Sequence, residues 1–247
     1  MQIKQIFEKQ NATAAAVLGG ALIIVAVIAG FFMSSLRSSG NVLTTTGSAK
    51  MSVVSDSAKL SGSVLAYASE FDLATGYKKI ERDTEKVKAF LVKNGATEEE
   101  ITISPVNLNQ DYSYNDGGQN LPKRYELRAT VTVNSTDVTK ITNISNLVDD
   151  IASEGVLFQT YGAQYYYSGL AEARVALLGD AVKDAKSRAR EIAKASGGNV
   201  GKLKTATSGV VQVLPPNSID ISDYGTYDTT TVDKDVMVTV RATFIIR

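Results

Sequence analysis

Apolar and polar positions alternate most regularly at Tyr125–Val133, where Tyr125, Leu127, Ala129, Val131 and Val133 interleave with Glu126, Arg128, Thr130 and Thr132. A period of two sends one set into a core and the other into water, so this segment is a strand. Val232–Ile246 repeats the pattern at greater length. There Val236, Val238, Val240, Ala242, Phe244 and Ile246 alternate with Met237, Thr239, Arg241, Thr243 and Ile245. Val236, Val238 and Val240 are expected in the core. Val42–Ala49, Ala58–Tyr67, Ile101–Leu108, Val156–Tyr167 and Val200–Leu214 also read as strands. Ser55-Asp56-Ser57 marks a turn between the first two of these. Pro105 cannot donate to a ladder, so Ile101–Leu108 is an edge or a bulge. Asn115-Asp116-Gly117-Gly118 is a turn signal that joins it to Tyr125–Val133 as a hairpin with a long loop.

Three segments change to the helical period. In Asp72–Lys93 the stripe is Leu73, Tyr77, Ile80, Thr84, Val87 and Leu91, and Asn94-Gly95 stops it. In Asp137–Ser153 it is Val138, Ile141, Ile144, Val148 and Ile151, with Asp137 as cap and Gly155 as terminator. In Gly169–Ser196 it is Ala173, Leu177, Ala181, Ala185, Ala189, Ile192 and Ala193, ending at Gly197-Gly198. Small side chains let that helix lie close to a sheet. The order ββ-α-ββ-α-β-α-ββ predicts an α+β fold, a mainly antiparallel sheet with helices packed on one face.

Ahead of this lies an uncharged run of 22 residues, Ala12–Met33. As a helix it spans roughly 33 Å, against roughly 30 Å for a bilayer's hydrocarbon core. A cleavable signal has a shorter apolar core and a small-x-small cleavage site, which Ser34-Ser35-Leu36-Arg37 does not supply. A buried core helix would show a polar face. The expectation is one N-terminal transmembrane helix, an uncleaved signal anchor. Lys4 and Lys9 then lie in the cytoplasm and everything after Arg37 outside it. Gly19, Gly20 and Gly30 are ordinary for such helices, and clustering of anchors through them is the alternative. The chain divides into a short cytoplasmic 1–11, an anchor 12–33, a polar linker 34–41 and an extracytoplasmic domain 42–247.

Composition removes whole classes of chemistry. There is no Cys and no His, which excludes Ser-His-Asp and Cys-His nucleophiles, imidazole or thiolate metal sites, and disulfides. The absence of Cys also suits an oxidising compartment. The 26 Lys and Arg balance 26 Asp and Glu, so no net basic charge favours nucleic acid. Asp149-Asp150 are adjacent on a helix and point apart, so they make no acid–base pair. Glu98-Glu99-Glu100 reads as a solvated turn, and the charges of the third helix as a mixed solvated face. No spacing supports a hydrolase using paired carboxylates. Asn134-Ser-Thr136 and Asn143-Ile-Ser145 match glycosylation acceptors by chance. No catalytic residue, cofactor or metal is expected.

Two features remain as candidate contact surfaces. Tyr161, Tyr165 and Tyr167 fall on one face of Val156–Tyr167 if alternation is strict, with Tyr166 on the other. Packing beneath a helix competes there with a subunit interface, where Tyr is enriched. The loop Pro215–Thr231 carries Asp220, Asp223, Tyr224 and Tyr227 in a stretch without Lys or Arg. A Ca²⁺ loop needs six to eight convergent oxygens and a terminal Glu, which Asp220 to Gly225 lacks.

Ala173-Arg174, Ala181, Asp184-Ala185, Ala189, Ile192-Ala193, Gly197 and Val200-Gly201-Lys202 form an alanine-repeat helix followed by a glycine and a strand start. With Gly47 and Asp56-Ser57-Ala58 upstream, Gly95, Glu99, Ile101, Ser104 and Tyr112, and Tyr125-Glu126-Leu127 through Val133, the region from Val42 to Arg247 resembles the SIMPL-domain family of secreted and periplasmic proteins. Ser55 stands where that family usually has Pro. The resemblance implies an α+β domain outside the cytoplasm, periplasmic or cell-surface, with ring- or channel-like self-association and no settled enzymatic activity. The expected function is a non-enzymatic, membrane-anchored envelope protein that forms a homo-oligomer, its lateral contacts made by the final strand and the Tyr-bearing strand. The alternative is a binding module for a peptide, glycan or envelope partner.

Overall fold

The computed structural model describes residues 19–30, 41–112, 122–220 and 222–247. Residues 19–30 are helical (α1), with Leu22, Ile23 and Ile24 exposed. The rest of the predicted anchor Ala12–Met33, most of the linker, and the Asn115–Gly118 turn lie outside the described residues. Among the described residues no helix is long and apolar enough to cross a membrane.

The chain forms two compact units. One takes residues 1–47, 182–207 and 240–247, the other residues 48–181 and 208–239. The larger unit holds a five-stranded sheet. Its strands are β2 (Ser57–Ser69), β3 (Ile101–Ile103), β4 (Asn107–Gln110), β5 (Arg124–Ser135) and β6 (Leu157–Tyr166). The order is β3-β5-β2-β6, with β4 also on β5, and every pairing is antiparallel. The break at Pro105 separates β3 from β4, as its missing N–H requires. Helices α2 (Leu73–Lys93) and α3 (Val138–Leu147) cover one face of this sheet. Leu60, Val64, Leu127, Val131 and Val133 meet Ile80, Val87, Leu91, Ile141, Ile144 and Ile151 in one core.

The predicted stripes are the buried ones, with Asp137 capping α3 through the Lys140 N–H at 2.9 Å and Gly155 ending the following turn at φ +74°. Two positions differ. Tyr77 is 42% exposed, and Asp83, outside the predicted stripe of α2, is buried and paired with Lys79 and Arg82.

A second sheet has the order β1-β9-β7, from β1 (Val42–Val54), β7 (Val200–Ser208) and β9 (Asp233–Ile246), with β8 (Gln212–Leu214) also on β9. In the smaller unit Ile246 N–H donates to Asn41 O at 3.0 Å, and Asn199 and Arg247 exchange bonds of 2.7 and 2.9 Å. In the larger unit Val53, Val213, Val236 and Val238 pack with Ala173 and Leu177 of α4 (Leu170–Ala195). The α4 alanines at 173, 181, 185, 189 and 193 are buried, whereas Ile192 is 50% exposed and leaves the predicted stripe.

One sheet was expected and two are present. The Ser55–Asp56 turn does not close a hairpin. It passes the chain from β1 in one sheet to β2 in the other, Ser55 N–H bonding Val232 O and Asp56 N–H bonding Tyr166 O, each at 2.9 Å. Val200–Leu214 is two strands, and the final strand lies inside its sheet with neighbours on both sides. Its backbone edge is therefore not open to lateral contact, which corrects that expectation.

Candidate functional site

The Tyr-bearing strand is where local sequence overrides simple alternation. On β2, Gly62 pairs with Thr160 and Leu60 with Ala163, so two steps on β2 face three on β6. The extra residue is a bulge at Tyr161-Gly162, and Gly162 takes φ +77°, which favours glycine. The bulge reverses the facing of the residues beyond it. Tyr161 and Tyr165 therefore do not share a face, and the strict-alternation reading is corrected.

Tyr165 points into the core, 8% exposed, and its hydroxyl lies 3.0 Å from Thr142 Oγ1 on α3. It offers no surface. Tyr167 lies beyond the end of β6 and is partly buried against the second core. Its N–H donates to Tyr227 Oη at 3.0 Å, and the Tyr227 ring is 6.2 Å from that of Tyr166. Tyr161 alone of the three stands out, 52% exposed. Its hydroxyl meets Ser63 Oγ at 2.8 Å and accepts from Arg128 at 3.2 Å. Arg128 clasps Glu126 through Nε and Nη2 at 3.1 and 2.9 Å, and Tyr67 donates to the other Glu126 oxygen at 3.3 Å. This chain of bonds fixes the ring of Tyr161 on the sheet face away from the helices. Leu157, at the start of the same strand, is also 52% exposed. Phe158 turns inward over Gly62, where a Cβ would come within 2.2 Å of its ring. β6 contains no charged residue and is an outer strand of its sheet. Its far end is covered by the bond from Tyr165 N–H to Thr229 O at 2.8 Å.

The acidic loop is held firmly at its base and open at its tip. Lys234 is fully buried, and its ammonium donates to Asp228 O at 2.7 Å, Thr231 O at 2.6 Å and Asp228 Oδ2 at 3.2 Å. Burial raises the Asp228 carboxyl, but the hydroxyls of Thr231 and Thr230, the Thr230 N–H and Lys234 outweigh it and hold the group well below the usual carboxylate range. Asp235 accepts from Ser52 at 2.7 Å and Lys50 at 2.9 Å, which lower it, and from Asn217 N–H at 3.4 Å. Gln212 bonds the backbone of Ser222 in both directions. From this base the loop presents Ile219 and Tyr224, 90% and 96% exposed, with Asp220 and Asp223 in water between them. Tyr227 is 39% exposed. Asp223 and Tyr224 also border a cleft of about 890 Å³ lined by Arg174, Ser208 and Val210. Among the described residues no three acidic side chains lie together as a metal site.

Sequence reasoning missed three polar anchors. Lys234 occupies an inward position of the β9 alternation, the one signal that pointed to it. Glu100 is not merely wet. It accepts from Lys140 at 2.8 and 2.9 Å and from Thr97 N–H at 2.8 Å, and Lys140 above all pulls it down to about 2. Asp56 accepts from Ser168 N–H at 3.0 Å and from its hydroxyl at 2.6 Å, the hydroxyl contributing most to lowering it, just before α4 begins.

A family model described as SIMPL, a protein of unknown function (DUF541), matches residues 43–244. No curated protein matches the chain.

Proposed function

The chain belongs to the SIMPL family, and from that membership we propose that it is a non-enzymatic, membrane-anchored envelope protein whose extracytoplasmic domain self-assembles. Residues 12–33 serve as the anchor, 1–11 face the cytoplasm, and 42–247 lie in the periplasm or at the cell surface. The uncharged run in the sequence supports the anchor. The observation that carries self-assembly is β6, an uncharged outer strand that presents Leu157 and Tyr161 to solvent. Depletion of charge with exposed aromatic and aliphatic side chains is the composition of an interface core. The contact is through side chains, since the bulge kinks the backbone.

Light scattering of the full chain in detergent, corrected for micelle mass, is expected to give a discrete multiple of the chain mass. Leu157→Lys with Tyr161→Lys is expected to lower that multiple. A wild-type monomer would overturn the reading.

A second reading is favoured by the anchored acidic loop. A preorganised base spares a binding loop its ordering entropy, and exposed Ile219 and Tyr224 would then seat a peptide, glycan or envelope partner. Monomeric wild type that captures an envelope partner, with capture abolished by Ile219→Ser and Tyr224→Ser, would favour it.

A further inference from the structure

The period of α2 places Tyr77 on its apolar stripe, yet the ring is half in water because it borders a groove rather than the core. The groove, of about 340 Å³, lies at the β3 side of the five-stranded sheet. Tyr77, Glu81 and Glu85 of α2 form one wall, Ile103 and Val106 the other, and Ala129 lies between them. Ile103 pairs with Val131, which puts its side chain on the helix side of the sheet, but it stays 36% exposed. The charges of α2 are sorted about this groove. The helix carries six Lys or Arg against three Asp or Glu. Asp83 holds Lys79 and Arg82, Lys88 pairs with Glu98, and Lys86 donates to Glu154 O. The groove wall takes only Glu81 and Glu85, both exposed. They stand four residues apart, where like charges repel, and among the described residues neither has an ion pair.

The complement to that wall is on β7. Lys202, Leu203 and Lys204 are exposed in succession, and among the described residues neither lysine has an ion pair. Alternation sends the two lysines to one side of the strand and Leu203 to the other. We propose that Lys202-Leu203-Lys204 of one copy docks in the groove between α2 and β3 of a second copy. The proposal rests on the self-assembly reading and adds to it a contact separate from β6. The two sides of the strand meet the two walls of the groove: the lysines face Glu81 and Glu85, and Leu203 covers Ile103 and Val106. The spacings agree. Residues four apart on a helix are separated by roughly 6 Å along its axis, and residues two apart on a strand by roughly 7 Å. An apolar centre flanked by opposite charges fixes the register of such a contact. Two different surfaces meet, so the contact is heterologous and repeats head to tail, giving a ring where the rotation closes.

Glu81, Glu85, Lys202 and Lys204 are all exposed, so reversing their charges leaves the fold intact, which far-ultraviolet circular dichroism checks. In the full-length chain in detergent, Glu81→Lys/Glu85→Lys and Lys202→Glu/Lys204→Glu are each expected to at least halve the assembled mass measured by light scattering. All four substitutions in one chain are expected to restore it, and so is an equimolar mixture of the two doubly reversed chains, because each groove then meets the opposite charge. Variants that were merely unstable would not recover on being combined. Reversals that leave the mass unchanged, or that lower it without recovery, would overturn the docking and keep self-assembly. A monomeric wild type would overturn both.

Discussion

β5 and β6 flank the same strand, β2, and behave differently. β5 pairs with β2 in one unbroken register from Ser135 to Arg124 and buries Leu127, Ala129, Val131 and Val133 in step. β6 keeps step with β2 from Leu157 to Thr160, gains a residue at Gly162, and resumes one position out of phase. The first strand is a continuous wall of the core. The second turns one Tyr inward and leaves another in solvent. A single glycine at positive φ thus decides which tyrosine is structure and which is surface.

The largest effect that would sharpen this contrast is on the β5 side. Leu127 is fully buried between β2 and α2, so Leu127→Ala is expected to cost about 2–5 kcal/mol in urea unfolding followed by far-ultraviolet circular dichroism. Next comes the bulge. Gly162→Val forces a branched side chain into φ +77° and is expected to cost about 1–2 kcal/mol. Gln159→Val, exposed on the same strand before the bulge, should stay within about 0.5 kcal/mol. Equal costs at both sites would break the comparison.

The smallest effect is at the β3 side of the sheet. Glu100 is depressed from 4.5 to about 2 by Lys140, so its contribution is full above pH 4.5 and fades as pH falls towards 2. Wild type should lose about 1 kcal/mol across that window relative to Glu100→Gln, measured as stability against pH. Parallel curves would remove the pair as an anchor of β3.

What sequence could show came from repetition. The helix stripes, the Asp137 cap, the Pro105 break and the β5 and β9 alternation all express a period that survives in the fold. Val236, Val238 and Val240 are buried as that period requires. What it could not show was pairing. Nothing local to Ser55-Asp56 distinguishes a hairpin turn from a crossing between sheets, because the deciding bonds go to Val232 and Tyr166, over 100 residues away. The bulge was equally hidden. In sequence Gly162 is one glycine within a strand, and the bulge is defined only by its partners Leu60 and Gly62 on β2. Lys234 was masked by its charge, since a lysine is expected in water unless carbonyls from elsewhere enclose it. At the candidate sites, the stretch Pro215–Thr231 reads as an irregular loop from its lack of periodicity, and Asp220, Asp223 and Tyr224 stand exposed on it. Of the three strand tyrosines, Tyr161 is exposed, Tyr165 is buried and Tyr167 is half-buried, a difference that strict alternation does not encode.

The sheet order joins the first strand to the last. Thr44 and Thr243, whose hydroxyls lie 2.9 Å apart, are separated by 199 residues. A ribosome adding about 5–20 residues each second needs about 10–40 s between making one and making the other. Throughout that time β1 exists without the neighbour that completes it, while β2 already has β5 and β6 to hand. The five-stranded sheet is thus available to form early, and the other sheet is a later event that waits until β9 has been made.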